Sequence, residues 1–254
     1  MGKIITLTGK EDMGVTTTSL MLAKTISQIL NKEILLIDLN IKKPEVYKIL
    51  FGKEEEESTY NIDLIMEYAM SEKDIEEIVK VNTQEMSNSK LKVIMGTNLK
   101  HEYTRVQYQN LFNTVKAKYS FTIIDTSINA NECIFDYSDM ILLVVDQAKK
   151  NLSDVKNMKI LSNTKTDVLV NKYQDGLLNS EEIAKMLDKE NVYKCYYDKK
   201  VVKALNKKTL SVESNIYENS IQDVSNKILK KFGYENKKSN MLEKLFRKEE
   251  KLDA

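Results

Sequence analysis

The 254-residue chain predicts an α/β fold: a doubly wound, mostly parallel sheet flanked by helices. Three observations carry that expectation. Short β-branched apolar runs recur along the chain, stretches with helical periodicity separate them, and the first run feeds a glycine-bearing loop that opens a helix. Continuous apolar runs fit strands buried on both faces, as in a parallel sheet covered by helices. Strand alternating with helix is the pattern of βαβ units.

Taken in order, the clearest strand candidates are residues 3–8, 33–37, 121–124 and 140–145, with 92–95 and 167–170 as weaker companions. Helical patterns occupy 17–30, 62–70 with 74–80, 108–118, 152–162 and 181–187. The lysine-rich stretch 199–208 reads as a further helix and its exit. The acidic run 54–57 and the polar stretch 82–90 read as loops. One proline and seven glycines leave few strong breakers, so boundaries are soft by several residues. Residues 1–232 form one expected domain, 233–240 a polar, basic linker, and 241–254 a distinct short amphipathic segment.

Composition excludes several function classes. Lys plus Arg number 39 against 38 Asp plus Glu, so attraction to nucleic acid has to be local. Cys133 and Cys195 lie far apart, and His101 is the single histidine. A disulfide-supported domain, a zinc site and a histidine-based hydrolase therefore find no support. The N-terminus lacks the apolar core and cleavage site of a signal peptide, and no run approaches the roughly 18 apolar residues of a membrane span. The expected localisation is cytoplasmic, with at most peripheral attachment at the inner face of the cell membrane.

The first loop reads Gly9-Lys10-Glu11-Asp12-Met13-Gly14-Val15-Thr16-Thr17-Thr18. A phosphate-binding loop needs glycines so that backbone N–H groups converge on phosphate oxygens, a helix N-terminus behind them, and a hydroxyl for magnesium. Gly9 and Gly14 have the spacing, and Thr16 stands where that hydroxyl belongs. Val15 stands where the phosphate-binding lysine belongs. Glu11 and Asp12 replace residues that are usually small, and their carboxylates repel a triphosphate unless they point to solvent or a partner. An ordinary strand-to-helix turn with threonine caps is the alternative reading.

Two later strands each deliver an acid to the carboxyl end: Ile34-Leu35-Leu36-Ile37-Asp38-Leu39-Asn40, then Lys43-Pro44, and Phe121-Thr122-Ile123-Ile124-Asp125-Thr126-Ser127. In an open parallel sheet ligands bind at that end, so Asp38, Asp125 and Thr16 are expected to converge. A lone strand-end aspartate is usually a cap or turn former; two of them after this loop are more specific.

These segments resemble the ParA/MinD family of P-loop ATPases. The loop from Thr8 to Leu20 is similar to that family's deviant Walker A loop, 35–44 to its second motif, and 123–127 to its Walker B strand. Val168-Leu169-Val170-Asn171-Lys172 resembles the base-recognition strand, and 197–206 the segment after it. The likeness spans about 1–232. It implies ATP or ADP with Mg2+ as cofactor and a nucleotide-sandwich homodimer. It also implies roles for single residues: Lys10 reaches the partner's phosphates, Thr16 binds magnesium, and Thr17 contacts phosphate. Asp38 orients the attacking water, Asp125 serves the metal's second shell, and Asn171 contacts adenine. Val15, Glu11 and Asp12 break the family pattern, and Asn40 and Ser127 differ from its commoner acid and proline. Gly14 through Thr18 looks closer to the TadZ/CpaE group, whose members help place secretion and pilus machinery.

At 100° per residue, Met241, Leu242, Leu245 and Phe246 share one arc, with Lys244, Arg247 and Lys248 outside it. That suits a short helix lying on an anionic membrane surface and resembles the C-terminal targeting helix of MinD. Glu249 interrupts the arc after about two turns. Docking on the domain or a partner, or a frayed end, are the alternatives. Lys199, Lys200, Lys203, Lys207 and Lys208 form a basic cluster that reads as a solvated helix face, or as a non-specific DNA contact.

Three functional readings follow. The first is a hydrolysis-deficient, dimeric positioning or scaffolding factor at the inner membrane surface, with a protein partner in a positioning, secretion or pilus system. The second is a working Mg·ATP-dependent ATPase switch. The third is an interaction module that has kept the fold without its ligand.

Overall fold

The computed structural model describes residues 1–40, 43–51, 61–70, 75–86, 89–97, 102–207 and 214–234. Among the described residues eight strands form one sheet in the order β3-β4-β2-β5-β1-β6-β7-β8. They are β1 (Lys3–Gly9), β2 (Ile34–Asp38), β3 (Gln84–Glu85), β4 (Leu91–Ile94), β5 (Phe121–Asp125), β6 (Met140–Val145), β7 (Thr166–Tyr173) and β8 (Val192–Tyr196). Every pairing is parallel except that of the two-residue β3 with β4.

The helices are α1 (Val15–Leu30), α2 (Val46–Phe51), α3 (Ile62–Tyr68), α4 (Ile75–Val81), α5 (Arg105–Lys118), α6 (Glu132–Tyr137), α7 (Lys149–Lys156), α8 (Ser180–Leu187), α9 (Lys199–Asn206) and α10 (Asn215–Lys231). Strand alternation assigns their faces. Ile5, Leu7, Ile34, Leu36, Phe121, Ile123, Leu142 and Leu169 join a cluster with α1 and α10. Their sequence neighbours Ile4, Leu35, Ile37 and Ile124 pack against α3–α6. Leu143, Val145, Val168 and Val170 pack against α7 and α8. Both faces are covered, so both sets of alternate residues are mostly apolar, with Thr6, Thr8 and Thr122 as buried polar exceptions.

The six expected strands are present. Two strands and several helices lie outside the expectation. β8 alternates buried and half-buried residues, and β3 falls inside the stretch read as a loop. The single helix expected over 152–162 is broken: Met158 is extended at φ −75°, ψ 137°, and a 3-10 turn (Lys159–Ser162) follows α7. α10 was not expected as a helix, although Tyr217, Ile221, Val224 and Ile228 form its buried stripe. Packing also runs past residue 232, because the Tyr234 ring lies 5.2 Å from that of Phe121.

Cys195 is buried, its thiol pushed up to about 12 by burial, and Cys133 is half-buried; both are free. Among the described residues no helix is long and apolar enough to cross a membrane. The membrane-facing candidates Met241, Leu242, Lys244, Leu245, Phe246, Arg247 and Lys248 lie outside the described residues, as do His101, Lys208 and the acidic run 54–57.

Ile221 is fully buried between α10 and the sheet. Ile221→Ala is expected to destabilise the fold by about 2–5 kcal/mol in urea unfolding, since transfer and cavity costs add. A loss under about 0.5 kcal/mol, the level of an exposed surface change, would mean that α10 does not seal this face.

Candidate functional site

β1 runs between β5 and β6, and the candidate site forms where their carboxyl ends meet α1. Asp38 ends β2 and Asp125 ends β5, and the register makes them direct neighbours. Leu7 of β1 pairs with Asp125 from the other side. Ser19 donates its hydroxyl to Asp125 Oδ1 at 3.2 Å. The Thr16 hydroxyl lies beside the same carboxylate and favours its charged form. Three residues remote in sequence, Thr16, Asp38 and Asp125, thus meet at one rim.

Both acids are fully buried. Burial raises the Asp38 pKa well above the usual carboxylate range, and the neighbouring Asp125 charge raises it further. Burial also pushes Asp125 up to about 7, against the opposing bonds of Thr16 and Ser19. Asp38 is tied to backbone: Oδ1 accepts from Asn40 N–H at 3.0 Å and Oδ2 from Val46 N–H at 3.2 Å. The latter bond caps the start of α2. Gly96 allows this packing, because a Cβ there would stand 2.8 Å from Asp38 Cγ. Asp125 Oδ2, in contrast, is buried without a hydrogen-bond partner among the described residues.

The loop above the acids has a defined shape. Met13 N–H donates to the Lys10 carbonyl at 3.4 Å, and Asp12 takes a left-handed conformation at φ 62°. Gly14 follows at φ 81° as the N-cap of α1, and no side chain caps that helix. The first-turn amides therefore keep their capacity for an anion. Glycine is needed at 14 both for its φ and because a Cβ would meet Asn171 Nδ2 at 2.4 Å. Val15 turns inward: its Cγ2 would touch a Gly9 Cβ at 3.0 Å, and it packs against the α1–α10 cluster.

β7 fastens the loop from the other side. The register shift between Val170 and Tyr173 spans Lys172, which is left-handed at φ 55°. Asn171 Nδ2 then donates to the Met13 carbonyl at 2.8 Å, and Lys172 Nζ to the Asp12 carbonyl at 2.8 Å. Lys10 Nζ turns away to Asp154 Oδ2 of α7 at 2.6 Å.

A cavity of about 530 Å³ opens over this rim, bounded by Gly9, Lys10, Gly14, Thr16, Thr17 and Asn171. Val201, Val202 and Leu205 of α9, with Tyr217 of α10, give it an apolar wall. Its charged lining is Lys10, Lys43 and Lys172 against Glu11, Asp12, Glu45 and Asp198, so it is not electropositive. Glu11 and Asp12 are exposed, and water screens their repulsion. Lys43 pairs with Glu45 at 3.2 Å.

The residues fit magnesium and phosphate unevenly. The Thr16 hydroxyl, the unpartnered Asp125 oxygen and the uncapped α1 amides suit a hydrated magnesium ion and an anion. Among the described residues no three His, Cys, Asp or Glu side chains cluster for a metal, so such an ion would take most of its shell from phosphate and water. The phosphate side lacks its lysine.

All described candidates, Gly9, Lys10, Gly14, Thr16, Thr17, Asp38, Asp125 and Asn171, lie at this rim. Sequence reasoning missed Ser19, Gly96 and Asp154. Ser19 was legible as one helical turn beyond Thr16; the other two carry no local signal.

Sheet order, loop and strand-end acids together define the P-loop nucleotide-binding fold of the ParA/MinD type. Solved structures agree. The chain matches a ParA family ATPase from Chlorobium tepidum with a TM-score of 0.73 at 14% identity, over 89% of this chain and 99% of that one. A MinC:MinD cell division protein complex from Aquifex aeolicus matches with a TM-score of 0.72 at 17% identity, over 90% and 96%. The septum site-determining protein MinD from Pyrococcus horikoshii, complexed with Mg-ADP, matches with a TM-score of 0.70 at 15% identity, over 90% and 96%. No family model and no curated protein sequence matches the chain.

Because Asp125 is raised in the folded state, the native protein keeps a proton that the unfolded chain releases above about pH 4. The associated stability is full at low pH and is lost as pH rises toward 7. In magnesium-free buffer Asp125→Asn is expected to flatten the fall in urea stability between pH 5 and 7.5, by roughly 2–3 kcal/mol. An unchanged slope would show that the burial of Asp125 is not what the protein resists.

Proposed function

We propose that the protein is a hydrolysis-deficient, nucleotide-binding member of the ParA/MinD type that acts as a positioning or scaffolding factor at the inner surface of the cell membrane. One observation carries the reading: Val15 takes the phosphate-binding lysine's place and packs, half-buried, against the core at the cavity's edge, while Thr16 and Asp125 remain together. A nucleotide held here rests on α1 amides and the Thr16 hydroxyl. Magnesium supplies charge neutralisation at the phosphate oxygens when bound. Charge stabilisation in the transition state is what the missing lysine would have added. Asp38 is engaged with the Asn40 and Val46 amides, which disfavours its use in orienting water.

One solved structure of this fold, MinD from Pyrococcus horikoshii, is named a septum site-determining protein, which supports a positioning role. Altered loops of the TadZ/CpaE kind support an adaptor role. The amphipathic segment 241–254, with Lys244, Arg247 and Lys248 outside its apolar arc, supplies the membrane contact, and a homodimer would present two such segments to one surface, raising avidity. A protein partner in a positioning, secretion or pilus system completes the assignment.

A second reading, a ligand-free interaction module, is favoured by the Asn171 amide and Lys172 ammonium, both bonded to the loop's own carbonyls.

Thermal denaturation with Mg·ATP separates the two. At tenfold excess over Kd the melting temperature is expected to rise by about 3–6 °C, and Thr16→Ala to abolish the rise. Phosphate release is expected to stay at the Thr16→Ala level. Turnover above that level would overturn the deficiency, and no thermal shift would favour the module.

Sedimentation with anionic liposomes tests the segment. Removal of 241–254 is expected to lower the pelleted fraction severalfold, and equal pelleting would remove the membrane role.

A further inference from the structure

We propose that the cavity selects a nucleoside diphosphate over a triphosphate, and that Glu45 is the residue that sets the preference. The inference rests on the nucleotide-binding reading above and names the ligand that the same site takes.

The cavity follows the carboxyl edge of the sheet, and its regions differ in chemistry. At the β7–β8 end Val201, Val202, Leu205 and Tyr217 stand beside Asn171, an apolar wall with one amide that suits a flat base. The uncapped amides of α1 lie at the centre and suit phosphate. The β2–β5 end is lined by Asn40, Lys43, Glu45, Thr126 and Ser127. A base on the wall and two phosphates at α1 fill the first two regions. A third phosphate then points into the last.

That last region is negative. Lys43 Nζ pairs with Glu45 at 3.2 Å, the side chains being 53% and 38% exposed. The Glu45 bond raises the Lys43 pKa, and the charges of Asp12 and Glu11 add to it. Three carboxylates of the lining therefore act on one ammonium. Glu45 also reaches the buried rim: burial is the main cause that raises Asp125, and the Glu45 charge contributes. Lys10 is turned away to α7, and Val15 brings no charge. The extra charge of a third phosphate meets an excess of carboxylate.

Glu45 weighs most among the three. It is half-buried, whereas Glu11 and Asp12 are exposed and water screens them more strongly. Its backbone is also held in place, because its amide and that of Val46 both serve the Asp38 carboxylate. A partly exposed charge of this kind changes an equilibrium by about two- to fivefold. A loop lysine at position 15 would offset that repulsion, and here Lys43 is already paired.

Calorimetric titration of the full-length chain at saturating magnesium compares Mg·ADP with Mg·ATP. Mg·ADP is expected to bind about five- to twentyfold tighter, and added salt to narrow the ratio. Glu45→Gln should tighten Mg·ATP about two- to fivefold, with a smaller gain for Mg·ADP. Glu45→Asp keeps the charge and should keep the ratio near wild type.

Equal affinities, or a preference for Mg·ATP, would overturn the selection and leave the nucleotide-binding reading standing. An unchanged ratio in Glu45→Gln would overturn the role of Glu45. Binding of neither nucleotide would overturn the nucleotide-binding reading, and the selection with it.

Discussion

The structure depends on the in-register parallel pairing of β2, β5 and β1, which ends two strands on neighbouring aspartates under a helix N-terminus. Asp38 and Asp125 are Cα partners and both are fully buried. Two adjacent buried carboxylates are unfavourable unless each is compensated. The compensations define the rim. Backbone amides of Asn40 and Val46 hold Asp38, Ser19 holds one oxygen of Asp125, and Gly96 yields the space that a Cβ would fill. The remaining Asp125 oxygen has no hydrogen-bond partner among the described residues. A rim arranged in this way retains an unmet electrostatic demand, of the kind a hydrated cation would answer.

Magnitudes decide which departure from the family loop matters most. Two unit charges about 4 Å apart interact by about 1 kcal/mol in water and about 4 kcal/mol at the effective dielectric near a protein surface. Glu11 and Asp12 are exposed, so their repulsion of phosphate belongs near the lower figure. A lysine at position 15 would act within the loop itself, nearer the higher one. Its replacement by a packed valine therefore outweighs the two added carboxylates. The feature that first catches the eye, acid in a phosphate loop, is the lesser perturbation.

The fold was legible because burial on both faces leaves its mark in each strand. Leu35-Leu36-Ile37 and Ile141-Leu142-Leu143 are apolar at every position because alternate residues serve different cores. β8 escaped for the converse reason: Val192-Tyr193-Lys194-Cys195-Tyr196 is an edge strand with a lysine in its centre. α10 has a regular stripe from Tyr217 to Ile228, but its many polar residues between hide it in a plain apolar scan. At the site, Thr16, Asp38 and Asp125 were legible because each ends or begins a regular element. Gly96 and Asp154 were not, since their meaning lies in approach to residues 58 and 144 positions away.

The loop's own anchors explain how such a protein keeps its shape. Asn171 and Lys172 hold the carbonyls of Met13 and Asp12, Val15 packs the loop's base against the core, and Lys10 ties its arm to α7. None of these bonds requires a ligand. Where phosphate alone organises such a loop, loss of the lysine would loosen the whole rim. Here the backbone groups are satisfied internally, so the fold tolerates valine at position 15 without local collapse. The residues that hold the loop's shape are therefore different from those that would meet a phosphate, although both lie in one segment.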